Sequence, residues 1–283
     1  MATLDDFEPL RTAVQQKLGA SLDALGADPI PVLTSEKRES ETSPLWALKI
    51  GQRGIVSAKT RWVEPLRTVV ERFILDELFS IFGAYEMARI TLADGVGIWG
   101  PSWYYVGDER TFRPPDDERP VQLSRSELAA CIDVEIFWHC PLENALAGFA
   151  IFEDDQIVAL ATVNSTFERV WEIGIEVVPQ AKGRGLGRAV VGAAGRWILQ
   201  NDRLIMATTA PWNVPSARTL RSVGLECVMT DMITMSGHFH VPPQPLGQPY
   251  PDAQLYNHYP DWAMNQHILP KKELAADKHA LRQ

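Results

Sequence analysis

The sequence has few cysteines, no long apolar run and no excess of positive charge. Its 283 residues include three cysteines, Cys131, Cys140 and Cys227, which are too scattered for a disulfide framework and favour a reducing compartment. No apolar run approaches the ~18 residues of a membrane span, and the acidic start MATLDDFEPL does not resemble a signal peptide. The net charge of −9 argues against nucleic acid as the main partner. We therefore expect a cytoplasmic protein with no membrane and no nucleic-acid partner.

Metal ligands are also scarce. His238 and His240 alternate near the C-terminus, but no carboxylate or cysteine stands at ligand spacing. We therefore predict no metal site. What the chain does have is apolar content: 46% of its residues are hydrophobic, enough for a large core in one or two folded units.

The stretch over residues 167–199 organises the rest of the chain. Residues 171–178 alternate in a period of two and predict a strand, which Pro179 ends because proline cannot donate to a ladder. Glycine then occupies every second position from 183 to 187, and residues 189–199 fit a mostly buried helix. The free N–H groups and the positive dipole end of that helix meet three cations, namely Lys182, Arg184 and Arg188. This combination predicts an anion site that suits a phosphate.

Two common phosphate motifs do not fit this loop. The dinucleotide pattern fails because Arg188 stands three residues after Gly185, and no P-loop occurs in the chain. Residues 180–185 instead fit Q/R-x-x-G-x-G/A, and a Val-Val-Pro strand end precedes them. A second strand at 204–209, an asparagine at 213 and a glycine–leucine pair at 224–225 follow in order. Over residues 146–228 the chain therefore resembles the GNAT superfamily of acyl-CoA N-acyltransferases.

The resemblance implies an α/β fold, with a mixed sheet that carries helices on both faces. It implies a catalytic domain over 121–236 that transfers an acyl group from acetyl-CoA, or another acyl-CoA, to a primary amine. We expect the acceptor to be a small molecule. The pantetheine arm would pair with the strand edge, and the N–H of Val177 would hold the thioester oxygen. The residues implied in cofactor binding are Val177, Val178, Gln180, Ala181, Lys182, Gly183, Arg184, Gly185, Leu186, Gly187, Arg188, Asn213 and Ser216. For Ser216 we expect mainly a role as the cap of the next helix, and a contact with the cofactor second.

Catalysis needs a group that takes the proton of the amine. Glu172 and Glu176 share one face of the central strand, with Gly174 between them leaving room for a substrate. We place Glu172 first, Glu176 second and His139 third as the base. Leu220 stands where the resembled family has a tyrosine acid. An alternative hypothesis therefore stays open: a non-catalytic acyl-CoA-binding sensor or scaffold.

The remaining segments give weaker patterns. Residues 1–44 predict an amphipathic helix over 4–26 and a mobile loop, and whether that helix packs on a sheet edge or in a homodimer stays open. Residues 45–120 predict an α/β unit that resembles a degenerate half of two-part bacterial GNAT proteins, with strands at 45–50, 54–58, 87–92 and 102–106 and a helix at 61–82. A capping box at Ser124 predicts a helix to residue 137. Residues 237–283 predict an extended C-terminal arm.

Overall fold

The computed structural model describes residues 2–39 and 43–236. The predicted C-terminal arm, with His238 and His240, lies outside the described residues. The helices are α1 (Glu8–Leu18), α2 (Thr60–Val70), α3 (Leu75–Leu78), α4 (Ile81–Thr91), α5 (Arg125–Cys131), α6 (Leu186–Gln200) and α7 (Val214–Ser222). The strands are β1 (Val32–Leu33), β2 (Leu45–Ile50), β3 (Arg53–Ala58), β4 (Val96–Gly107), β5 (Val121–Leu123), β6 (Ala145–Glu153), β7 (Gln156–Phe167), β8 (Val170–Val177), β9 (Leu204–Thr209) and β10 (Glu226–Ser236). The predicted mixed α/β class is confirmed.

One ten-stranded sheet contains all of these strands, in the order β1-β3-β2-β10-β4-β9-β8-β7-β6-β5. The pairs β1–β3 and β8–β9 are parallel, and the other pairs are antiparallel. Because β4 lies between β10 and β9, the two halves of the chain share a continuous sheet. The domain boundaries and the likeness of the N-terminal half to a second GNAT unit stay predictions.

Helices cover both faces of the sheet. The odd-numbered side chains of β8 pack with α6 and α7 in one core cluster. The even-numbered side chains point to the opposite face, since neighbouring side chains of a strand alternate. There α1 packs near the start of β8 and α5 packs on β6 and β7. We call this second face, which carries Glu172 and Glu176, the acidic face.

Several predicted boundaries were wrong. The strand predicted at 87–92 is the second half of α4, whose buried residues Ala84, Met87, Ala88 and Thr91 follow helical spacing. The helix predicted at 61–82 is divided among α2, α3 and the start of α4. The helix predicted at 4–26 is α1, which Gly19 ends in the left-handed conformation (φ 73°). The capping box of Ser124 and Glu127 is present, but its helix α5 ends at Cys131.

None of the helices in residues 2–39 and 43–236 is long and apolar enough to span a bilayer.

Candidate active site

A cleft opens between β8 and β9. The two strands pair only over their first three residues, the last pair being Glu172 and Met206, and then separate while β8 continues to Val177. The N–H of Val178 donates to the carbonyl of Val158 on β7, at 3.0 Å. Because successive residues of a strand direct their N–H groups to opposite sides, the N–H groups of Ile175 and Val177 point into the β8–β9 cleft. The cleft therefore has an unpaired strand edge as one wall.

The glycine loop lies at the open end of this cleft. Gly183 and Gly185 have φ values of 79° and 77°, and a Cβ added at either one would meet no atom within 4 Å. Gly185 is the N-cap of the 15-residue helix α6. Among the described residues, the N–H groups of residues 183–188 find no hydrogen-bond acceptor. An open row of unpaired donors at a helix N-terminus is suited to bind an anion.

The three cations of the loop are not equivalent. Arg184 donates two hydrogen bonds to Glu153, at 2.9 and 2.5 Å, and these bonds raise the pKa of Arg184 and lower the pKa of Glu153. Lys182 and Arg188 are exposed and face no acidic partner within the described part of the chain. The structure therefore leaves two cations, not three, unpaired beside the anion site.

Asn213 and Ser216 stand at the start of α7. The side chain of Asn213 accepts the N–H of Ser216 at 3.3 Å, so Asn213 is the cap of this helix. The prediction that Ser216 is the cap was wrong, because Ser216 is the third helical residue and supplies the capped N–H group instead.

Glu172 lies at the closed end of the cleft. Its two carboxylate oxygens accept hydrogen bonds from Thr166 (2.9 Å) and from Thr208 (2.7 Å). Thr208 belongs to β9, two residues beyond the last β8–β9 pair. Glu172 therefore bridges the two strands at the point where they separate.

Glu176 and His139 form a pair on the acidic face. The Nδ1 atom of His139 lies 2.5 Å from a carboxylate oxygen of Glu176. The side chain of Glu176 is 18% exposed and that of His139 is 41% exposed. The ring of Trp138 also lies against the imidazole, with 3.4 Å between ring centroids. The structure thus brings together the second and third predicted bases and leaves the first one apart.

Gly174 has a different role from the predicted one. A Cβ added there would lie 2.2 Å from the carbonyl oxygen of His139. The chain around residue 139 therefore fills the space above Gly174. The prediction that this space is free for a substrate was wrong. The absence of a Cβ lets this segment lie directly on β8, which places His139 beside Glu176.

The comparisons with known proteins fit this geometry. Residues 104–225 match the model of the acetyltransferase (GNAT) family. This part of the chain is a GNAT acetyltransferase domain. The match supports acetyltransferase activity with an acyl-CoA as the acyl donor, and the anion site and the cleft described above agree with it. A search of curated proteins finds no match.

Solved structures with GNAT domains resemble the chain at low identity. A GCN5-related N-acetyltransferase from Kribbella flavida is 14% identical, with 84% of this chain and 96% of that chain covered and a TM-score of 0.45. A GNAT-family acetyltransferase from Colwellia psychrerythraea is 12% identical, with 50% and 58% covered and a TM-score of 0.36. At these values the structural likeness does not extend the assignment beyond the family.

The sheet also holds a buried polar group that the sequence did not predict. Asp231, which is 1% exposed, accepts hydrogen bonds from Trp46 Nε1 (2.7 Å) and from the Tyr104 hydroxyl (2.8 Å). Burial raises the pKa of Asp231 and that of Tyr104, and burial lowers the pKa of nearby Lys17. The signal in the sequence was a carboxylate in the middle of a strand, between Thr230 and Met232. Among the described residues, no group of three or more His, Cys, Asp or Glu could hold a metal ion.

Proposed function

We propose that this acetyltransferase transfers the acetyl group of acetyl-CoA to the primary amine of a small molecule. The observation that carries the proposal is the open row of unpaired N–H donors at residues 183–188, placed at the mouth of the β8–β9 cleft. A diphosphate bound there directs the remainder of a CoA molecule along the cleft.

The proposed binding mode follows from the donors available. The diphosphate accepts from the N–H groups of the loop, with Lys182 and Arg188 as counter-charges. The pantetheine amides pair with the free edge of β8 at Ile175 and Val177, as an added strand would. The Val177 N–H is the proposed donor to the thioester oxygen, where negative charge develops as the amine attacks.

The acidic face supports a small cationic acceptor. The net charge of −9 and the carboxylates of Glu172 and Glu176 favour the approach of an amine. The N-terminal segment with α1 covers one part of this face and α5 covers another. The segment around His139 lies on Gly174 between the two carboxylates. We infer that this coverage restricts the approach to the carboxylates, which would suit a small molecule better than a folded protein. That the reaction takes place in the cytoplasm stays a prediction, and the question of a homodimer stays open.

The proposal is tested by thiol release when acetyl-CoA is mixed with a panel of small primary amines. We expect CoA release with wild type and none with Gly185→Asp, because the added carboxylate enters the diphosphate position. Gly51→Asp is the matched control, since Gly51 also has a positive φ (56°) and an open surrounding but lies in a distant turn. A wild-type protein that binds acetyl-CoA and releases no CoA with any amine would favour the sensor or scaffold hypothesis instead.

A further inference from the structure

The two predicted carboxylate bases lie at different levels of β8. Glu172 belongs to the last pair that joins β8 to β9, where the strands are still hydrogen bonded. Glu176 lies between Ile175 and Val177, whose N–H groups point into the open cleft. The reacting thioester needs both free strand edge and space, and β8 offers both only beyond Glu172. A group that contacts the acceptor is therefore better placed at the level of Glu176 than at the level of Glu172.

The hydrogen bonds of Glu172 indicate a structural role. Each of its oxygens already accepts a hydroxyl donor, from Thr166 on one side and from Thr208 on the other. The bond to Thr208 joins β8 to β9 across the closed end of the cleft. A carboxylate used in this way fixes where the strands separate, and its protonation would weaken the bonds that do so.

The His139–Glu176 pair has the arrangement of a general base with its orienting group. A carboxylate only accepts, so the Nδ1–H of His139 donates to Glu176. In the neutral imidazole the proton on Nδ1 leaves Nε2 with a lone pair. The His139 side chain is exposed enough for an acceptor to reach it, whereas Glu176 is mostly covered.

We infer that Nε2 of His139 takes the proton of the acceptor amine and that Glu176 is the positioning residue that fixes the ring. This inference rests on the proposed function. The acceptor, which arrives as an ammonium cation, first releases one proton to solvent water. The neutral amine nitrogen then attacks the thioester carbon, and its second proton passes to Nε2. The carbon–sulfur bond then breaks, and the proton on Nε2 passes to the leaving thiolate. The products are the amide and CoA with its free thiol, so one imidazole serves first as base and then as acid.

The first test reads the tautomer and does not need an acceptor. Nitrogen-15 NMR of histidine-labelled protein, with the signal of His139 identified by its loss in His139→Gln, should show Nδ1 protonated and Nε2 unprotonated in the neutral ring. Glu176→Gln should weaken this preference, and Glu135→Gln, an exposed carboxylate of the same segment, should not change it. A wild-type ring protonated on Nε2 would overturn the inference.

The second test measures acetyl transfer to the amine that the panel identifies. His139→Gln should lower the rate by about 10²–10⁴-fold, the usual effect of removing a positioned base, with acetyl-CoA affinity unchanged. Glu176→Gln should lower it less, because the amide oxygen can still accept from Nδ1–H. His139→Ala should recover activity with added imidazole. An undiminished rate in His139→Gln while Glu172→Gln loses activity would refute the inference, whereas a wild type inactive with every amine would refute the proposed function.

Discussion

Gly174→Ala should disturb the His139 segment without touching the cofactor loop. The added Cβ would lie 2.2 Å from the backbone carbonyl oxygen of His139, and ordinary van der Waals contact begins near 3.4 Å. The carbonyl must therefore retreat by about 1.2 Å, or β8 must bend by a comparable amount. The contact is to backbone and not to the end of a flexible side chain, so no rotamer change can relieve it.

The size of the effect follows from that displacement. Overpacking of this kind costs about 1–3 kcal/mol of the free energy of unfolding. The anchors of the segment, Phe137 and Cys140, are 3% and 2% exposed and resist a simple outward shift. The imidazole of His139 moves with its backbone, and a misplacement of about 1 Å in an active site can lower a rate by roughly 10²-fold. We expect both losses in the Ala variant.

The stability loss is measured by urea unfolding and the rate loss by CoA release, with acetyl-CoA affinity from calorimetry as the control that should not change. A double-mutant cycle separates the two causes of a lower rate. In a His139→Gln background, Gly174→Ala should reduce the rate little further, because the group that it displaces is already gone. A Gly174→Ala protein with wild-type stability and wild-type rate would show that the segment does not rest on β8 as described.

Two other changes test the buried groups. Burial raises the pKa of Asp231, so the folded protein holds the proton of this carboxyl more tightly than the unfolded chain does. Protonated Asp231 therefore contributes favourably to the free energy of unfolding at low pH. This contribution is lost as the pH rises through the raised pKa. Urea unfolding over a pH series should show a steeper fall for wild type than for Asp231→Asn, and parallel curves would contradict this. Leu220 is 1% exposed in the core between α6 and the sheet, so Leu220→Tyr should cost about 1–3 kcal/mol of stability and should not raise the rate of acetyl transfer.

Local patterns were enough to predict the central part of the domain. The strand β8, the glycine loop and α6 follow one another within about 30 residues, and each is specified by its own alternation, glycines or apolar spacing. The capping box at Ser124 is likewise a contact between residues three positions apart. These features depend little on the rest of the chain, which is why sequence and structure agree on them.

The contacts that the sequence did not predict join residues distant in the chain. His139 and Glu176 are 37 residues apart, and only the docking of the segment on Gly174 brings them together. Glu172 was placed first as the base because it lies on a half-buried strand. Its bond to Thr208, which lies 36 residues away on a neighbouring strand, could not be predicted from the sequence. The sequence could identify which residue types are able to take a proton. It could not decide between them, since their hydrogen-bond partners lie on other strands and loops.

Leu220 shows why the missing tyrosine need not mean a missing activity. Its side chain is 1% exposed in the core that α6, α7 and the sheet share, so a phenol at this position would have to enter filled space. If the imidazole of His139 carries the amine proton to the thiolate, as inferred, no second proton donor is required. The leucine then contributes only packing, and the chemistry that the resembled family divides between two side chains is carried by one.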